Sequence, residues 1–349
     1  NTNILYDETS PSFGSVDPVD GQKVNAAGRV VKYTNSEDLS AGSVVYTGTS
    51  GSDSGGVHST TFDSTERQAG SHTVDVTGLA DNNTYKLDVK GTDAAGNATT
   101  LTRTGIAYDV TNPGFGAVTP AAGARIKSDT KIVNWTNSET LSSGEVKYTG
   151  TSGSDSGGVH SGDLTGKLGS GAQSVDVAGL VDANTYTLTV GGTDLAGNTG
   201  STSNAGIVFD TTGPTFTPVS PDVGLKIGPN TKTVTWSNNE ALSAGEVKYA
   251  STAGSDSGSS YASSMAGKLN QGNQNVNISG LVNGSTYTLT VTGTDVAGNP
   301  GTTVTNTGLV YDSDAPTFGS VKPETNDRIC VTTRVVQWTN AEALTAGTV

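Results

Sequence analysis

The chain has 349 residues, of which 15% are charged, 47 are glycine and one, Cys330, is cysteine; its formal charge is −14 and its isoelectric point about 4.5. That balance excludes nucleic acid as a natural partner, because phosphate binding needs a basic face, and a lone thiol excludes an internal disulfide or a cysteine-based metal site. No apolar run is long enough to insert in a membrane and no signal peptide opens the sequence, while an acidic, lysine-poor surface suits solubility and divalent cations.

The apolar residues are not scattered. They recur in short alternating runs, which disordered chains lack. A longer period lies over them. Gly91-Thr92-Asp93-Ala94-Ala95-Gly96-Asn97 returns as Gly192-Thr193-Asp194-Leu195-Ala196-Gly197-Asn198 and again as Gly293-Thr294-Asp295-Val296-Ala297-Gly298-Asn299, at a spacing of 101 residues each time. Such a period marks tandem copies of one domain. The expected division is 1–6 as the end of a preceding repeat, 7–108, 109–209 and 210–311 as repeats one to three, and 312–349 as a truncated fourth. The chain therefore reads as a slice of a longer array.

Within the second repeat, Phe115 and Val118 among prolines predict an irregular edge strand, where a missing N–H is tolerated. Ala121-Ala122-Gly123-Ala124 reads as a turn. Residues 131–136 set Ile132, Asn134 and Thr136 against Val133 and Trp135, a strand with one buried face. Asn137-Ser138-Glu139 ends it, and 145–149 alternates again. Ser152 to Gly162 reads as a polar, flexible loop. Strands follow at 173–177 and 185–190, and 206–209 closes the repeat. About seven short strands without helical periodicity predict an all-β Greek-key sandwich, repeated in tandem.

Three features sharpen the picture. An aromatic expected to be buried recurs on one strand as Tyr33, Trp135, Trp236 and Trp338. Leu79/Tyr85, Leu180/Tyr186 and Leu281/Tyr287 keep a fixed gap beside a glycine, the pattern of a tyrosine corner. The Gly-Asn pair signals a tight turn in the last hairpin. The run Gly-Leu-x4-Thr-Tyr-x-Leu-x-Val-x-Gly-Thr-Asp-x-Ala-Gly-Asn resembles the second half of fibronectin type III domains. Together with the Tyr-Asp-x3-Pro start of each repeat, it resembles the Ig-like repeats of large bacterial surface adhesins. The resemblance implies an extracellular stalk, often stiffened by calcium.

In a sandwich of this kind the entering segment, the loop after the aromatic strand and the last hairpin loop share one end. Each of those places carries an oxygen donor: Asp7, Glu37, Asp93 and Asn97 in the first repeat; Asp109, Glu139, Asp194 and Asn198 in the second; Asp210, Glu240, Asp295 and Asn299 in the third; Asp312 and Glu342 in the fourth. Three carboxylates and an amide oxygen at one spot repel one another when unpaired, and their hardness and number suit Ca2+ better than Mg2+. The alternative is that each aspartate caps its own loop and each glutamate is solvated. The first aspartate of each set stands where one repeat passes into the next without a Gly/Ser linker. A cation there would turn a hinged string into an extended rod, with roughly 35–40 Å per repeat from strands of about ten residues.

Other constellations carry less. Ser52-Asp53-Ser54-Gly55-Gly56 and Ser154-Asp155-Ser156-Gly157-Gly158, near His58 and His160, resemble the run around the nucleophile of chymotrypsin-like proteases. A triad is defined by geometry, however, and the third copy has Tyr261 in place of the histidine. His58, His72 and His160 do not recur in every repeat, which argues against a histidine-based metal site. Asn82, Asn97, Asn134, Asn277 and Asn283 fall in glycosylation sequons, which a Thr- and Asn-rich chain makes by chance. Thr-x-Thr pairs are expected on solvent faces of strands, and Cys330 is expected to be buried and inert.

The expected function is a non-catalytic stalk segment of a bacterial cell-surface protein, packed against neighbouring repeats of its own chain and holding some unknown ligand at a distant tip. The rivals are a filament or sheath assembled from identical chains, and an accessory region of a secreted polysaccharide-active enzyme.

Overall fold

The computed structural model describes residues 6–230, 232–329, 335–344 and 346–348, and among them there are strands but no helix. The chain forms two units, residues 1–210 and 211–349.

The first unit holds two sandwiches of the same design. In the first, β1 (Phe13–Asp17), β3 (Val31–Asn35) and β6 (Gly70–Val74) make a three-stranded sheet in the order β1-β3-β6. Facing it, β2 (Lys23–Val24), β4 (Ala41–Ser50), β5 (Val57–Thr61), β7 (Asn83–Thr92) and β8 (Ala98–Tyr108) order as β2-β8-β7-β4-β5. Pairing is antiparallel throughout except for β2, which runs parallel to β8. The second sandwich repeats this with β9 (Phe115–Thr119), β10 (Arg125–Ile126), β11 (Val133–Asn137) and β12 (Leu141–Ser152). It continues through β13 (Val159–Ser161), β14 (Gly171–Val175), β15 (Asn184–Asp194) and β16 (Thr199–Phe209). Its sheets are β14-β11-β9 and β10-β16-β15-β12-β13.

The second unit has one such sandwich. Its strands are β17 (Phe216–Ser220), β18 (Lys226–Ile227), β19 (Thr233–Asn238), β20 (Leu242–Ala253), β21 (Ser260–Ser264), β22 (Gly272–Asn277), β23 (Thr286–Asp295) and β24 (Val304–Tyr311). A hairpin of β25 (Phe318–Lys322) and β26 (Gln337–Asn340) follows. The aromatic-strand sheet and the longer sheet with the last hairpin give a tandem array of Ig-like, fibronectin III-like Greek-key sandwiches.

The core follows from period-two alternation. On β3, Val31 and Tyr33 are buried while Lys32 faces out; on β11, Val133 and Trp135 are buried while Asn134 and Thr136 face out. They pack against the longer sheet, whose inner rows supply Tyr46, Tyr85, Leu87, Val89 and Ile106 in the first sandwich, all fully buried.

Two sequence expectations are corrected. The Ser/Gly segments are not flexible loops: β5, β13 and β21 run inside them as edge strands paired to β4, β12 and β20. Val57 and Val159 point into solvent at 63% and 57% exposure, so no apolar alternation marks these strands in the sequence. The two-residue strands β2, β10 and β18 were too short to leave a periodic signal. Trp338 is 41% exposed, whereas Trp135 and Trp236 are 3% and 2%, because among the described residues no second sheet lies over β25 and β26. Cys330 falls outside the described residues.

The first strand of each repeat carries a bulge. In the first two repeats a residue with a side chain takes a left-handed backbone there, Ser15 at φ 50° and Ala117 at φ 49°. Ala117 is exposed and its methyl group packs on little. Ala117→Gly is therefore expected to raise the stability of the second sandwich by about 0.5–1 kcal/mol, the excess of left-handed strain over the added chain entropy. A urea titration of the variant against the parent checks it.

Candidate metal centre

The last hairpin loop of each sandwich is built on its aspartate. Between β7 and β8, the Asp93 N–H donates to the Asn97 carbonyl at 3.0 Å. In return Asn97 donates its backbone N–H to Asp93 Oδ1 at 2.9 Å and its Nδ2 to Oδ2 at 2.8 Å. Gly96, at φ 96°, supplies the left-handed step that closes the loop. Between β15 and β16 the grip is more complete: Asp194 Oδ1 accepts N–H bonds from Ala196, Gly197 and Asn198 at 2.8, 2.6 and 2.9 Å. Asp295 accepts the same pair of bonds from Asn299, at 2.7 and 2.8 Å. All three aspartates are at most 2% exposed. The loop-capping alternative is thus physically present, and it fixes where the carboxylates stand.

The asparagine amides also hold the loop to the segment that enters the sandwich. Asn97 Nδ2 also donates to the Asp7 carbonyl at 3.1 Å, and Asn198 Nδ2 donates to the Asp109 carbonyl at 2.9 Å. An amide held between two acceptors must turn its nitrogen to them. These side chains brace the hairpin loop against the entering segment.

Convergence is close. Asp7, Glu37 from the β3–β4 loop, and Asp93 each place an oxygen within 4.8 Å of the others, and so do Asp109, Glu139 from the β11–β12 loop, and Asp194. In the second unit Glu240 and Asp295 approach one another within the same limit. Burial, then the charges of Asp7 and Asp93, push the Glu37 carboxyl above its ordinary value. Burial, then Asp109 and Asp194, do the same for Glu139, with Lys23 opposing. Burial also resists ionisation of Asp93, but the N–H donors of its loop outweigh it and hold that carboxyl below the usual range. In each cluster the aspartates are fixed by hydrogen bonds while the glutamate faces like charge. Hard oxygens alone, with no nitrogen or sulfur donor among them, fit a calcium-type cation, which would relieve that repulsion.

Asp210 and Asp312 each also lie beside a base. Asp210 Oδ2 lies 3.4 Å from Arg125 Nη1; Lys226 Nζ lies 3.1 Å from Asp312 Oδ2 and 3.8 Å from Glu342 Oε2.

The joint between the first two sandwiches is short and hydrogen-bonded from both sides. After Tyr108 ends β8, Asp81 of the β6–β7 loop accepts the Val110 N–H at 2.8 Å and the Thr111 hydroxyl at 2.6 Å. From the second sandwich, Asn198 reaches back to Asp109.

The sequence reading missed one further network. Tyr85 accepts the Ala80 N–H at 2.8 Å, as a tyrosine corner should, but donates its hydroxyl to Asp53 Oδ2 at 2.7 Å. His58 Nε2 meets the same oxygen at 2.6 Å. Asp155 gathers Tyr186 and His160 at the same distances, and Asp256 gathers Tyr287 and Tyr261 at 2.6 and 3.0 Å. Gly153 makes room for this turn: a Cβ there would lie 2.2 Å from Asn184 Oδ1, which anchors the Asp155 N–H. The Ser-Asp-Ser-Gly run is an aspartate-anchored hairpin. Its histidines bond to the aspartate. The available signal was the recurrence of His, His and Tyr five residues after each aspartate.

No protein-family model matches the chain, and no curated protein matches it. Among solved structures it is similar to part of a 1.5-MDa bacterial ice-binding adhesin, at 18% identity over 88% of this chain and 100% of that one, with a TM-score of 0.31. A Ca2+-stabilised adhesin with which an Antarctic bacterium binds ice aligns at 19% identity over 90% and 78%, TM-score 0.31. A tetra-tandem repeat from the extending region of a large adhesion protein aligns at 21% over 90% and 77%, TM-score 0.30. Superpositions this loose carry no argument by themselves, so the architecture rests on the strand order described above.

Proposed function

We propose that this chain is a non-catalytic structural segment of a bacterial extracellular surface protein, an adhesin stalk or extender whose joints between sandwiches are stiffened by Ca2+. The observation that carries the reading is the cluster of Asp109, Glu139 and Asp194 at the place where the first sandwich passes into the second. Its three carboxylates come from the connecting segment and from two loops of the following sandwich. A cation held by all three would tie the connector to the body it leads into. Asp7, Glu37 and Asp93 form the same arrangement one repeat earlier, which favours a feature of the repeat over a chance surface cluster. Calcium would supply charge neutralisation and a multi-oxygen shell there; carbonyls and water would complete it.

Calcium titration of residues 1–349 after chelation tests this. Binding to both clusters of the first unit is expected, and Glu139→Gln is expected to remove one ion from the stoichiometry while leaving the strands intact. Absence of binding at millimolar calcium would end the reading.

A further inference from the structure

The strands β2, β10 and β18 are two residues long and share one pattern, a base followed by a buried aliphatic: Lys23-Val24, Arg125-Ile126 and Lys226-Ile227. Val24, Ile126 and Ile227 are 1–3% exposed, so period two turns the bases outward. Each strand runs parallel to the last strand of its own sandwich, in the same register: Val24 opposite Tyr108, Ile126 opposite Phe209, Ile227 opposite Tyr311. The next residue is the aspartate that leads out of the repeat. Its N–H donates to the carbonyl of that aliphatic in every case, Asp109 to Val24 at 3.0 Å, Asp210 to Ile126 at 2.8 Å and Asp312 to Ile227 at 2.9 Å. The backbone thereby places a base one residue before the carbonyl that holds each exit aspartate's N–H. Arg125 meets Asp210 and Lys226 meets both Asp312 and Glu342, as described above, and the charge of Lys23 favours ionised Glu139.

We propose that Lys23, Arg125 and Lys226 are tethered counter-cations of the exit segments: each neutralises the carboxylates of its own unit that it faces when no divalent ion is bound, and competes with that ion when it arrives. The chemistry separates the two cations. An ammonium or guanidinium offers one positive charge and only hydrogen-bond donors, on a long hydrated arm. A divalent ion offers twice the charge and accepts several oxygens at once. The arms are largely in solvent, 44% exposed at Arg125 and 66% at Lys226, so they can leave without disturbing the core. The base thus sets the calcium affinity of its joint. The competition rests on the calcium reading above; the counter-ion role does not.

The test uses residues 1–349 with Lys23→Met, Lys23→Glu and, as a control for net charge, Lys147→Met, whose ammonium pairs with Glu145 on its own strand. Two quantities are read: calcium affinity by titration, and the thermal midpoint in chelator. Lys23→Met is expected to tighten calcium at the first-to-second joint roughly five- to tenfold, the order of the screened Coulomb effect of one removed charge on a divalent ion. It is also expected to lower the midpoint in chelator, with Lys23→Glu larger in both. If neither quantity moves, or if Lys147→Met moves them equally, the proposal is overturned. If the parent binds no calcium but Lys23→Met still lowers the midpoint in chelator, the calcium reading falls and the counter-ion role stands.

Discussion

Asp194→Ala is expected to destabilise the second sandwich by about 2–4 kcal/mol even without calcium, because it strips four part-buried N–H donors of one shared carboxylate. Asp194 is 1% exposed and takes bonds from the backbone of Ala196, Gly197 and Asn198 and from Asn198 Nδ2. Asn198 would lose its orientation, and with it the bond to the Asp109 carbonyl that braces the joint. Calcium should then no longer stabilise that joint. Glu139→Ala makes the complementary comparison: its carboxyl accepts no such bonds and sits against like charge, so its loss should spare stability in chelator and remove the calcium response. Urea titrations of both variants with and without calcium separate the two roles.

The second large effect lies at the other end of the same sandwich. Tyr186→Phe should cost about 2 kcal/mol, since the buried hydroxyl both accepts the Val181 N–H and donates to Asp155. Burial first, and the Asp155 charge as well, push the Tyr186 hydroxyl up to about 12, so it remains a donor at every working pH. Bonds from Tyr186 and then His160 hold the Asp155 carboxyl below its usual range, and Tyr85 and His58 do the same for Asp53. A carboxyl depressed in the folded state binds fewer protons there than when unfolded. Its stabilisation is present above the ordinary aspartate value of about 3.9 and is lost as pH falls through the lowered folded value. The urea midpoint should therefore drop on acidification below pH 4. A double variant, Asp53→Ala with Asp155→Ala, should start lower and show a shallower acid slope in the first unit.

What the sequence revealed was whatever had a period or a fixed address. Val133 and Trp135 announced a half-buried strand, and the 101-residue repeat announced the array. Topology then brought Asp109, Glu139 and Asp194 together on paper, as the structure does in space. What stayed hidden depends on contacts without a local signature. The strand β13 pairs through its backbone at a sheet edge and leaves its valine in water. Tyr186 meets Asp155 across 31 residues. The direction of the Asn198 amide is decided by two acceptors, one of them a backbone carbonyl 89 residues away. Arg125 gains its place from a parallel register of two residues, shorter than any alternation can mark.

If calcium stiffens the joints, small-angle scattering from residues 1–349 will register it. The largest dimension should be greater, and the distribution of distances narrower, in millimolar calcium than in chelator, with the difference reduced by Glu139→Gln. Scattering profiles that superimpose in the two conditions would contradict the claim and leave an array of sandwiches whose acidic joints are held by their own side chains.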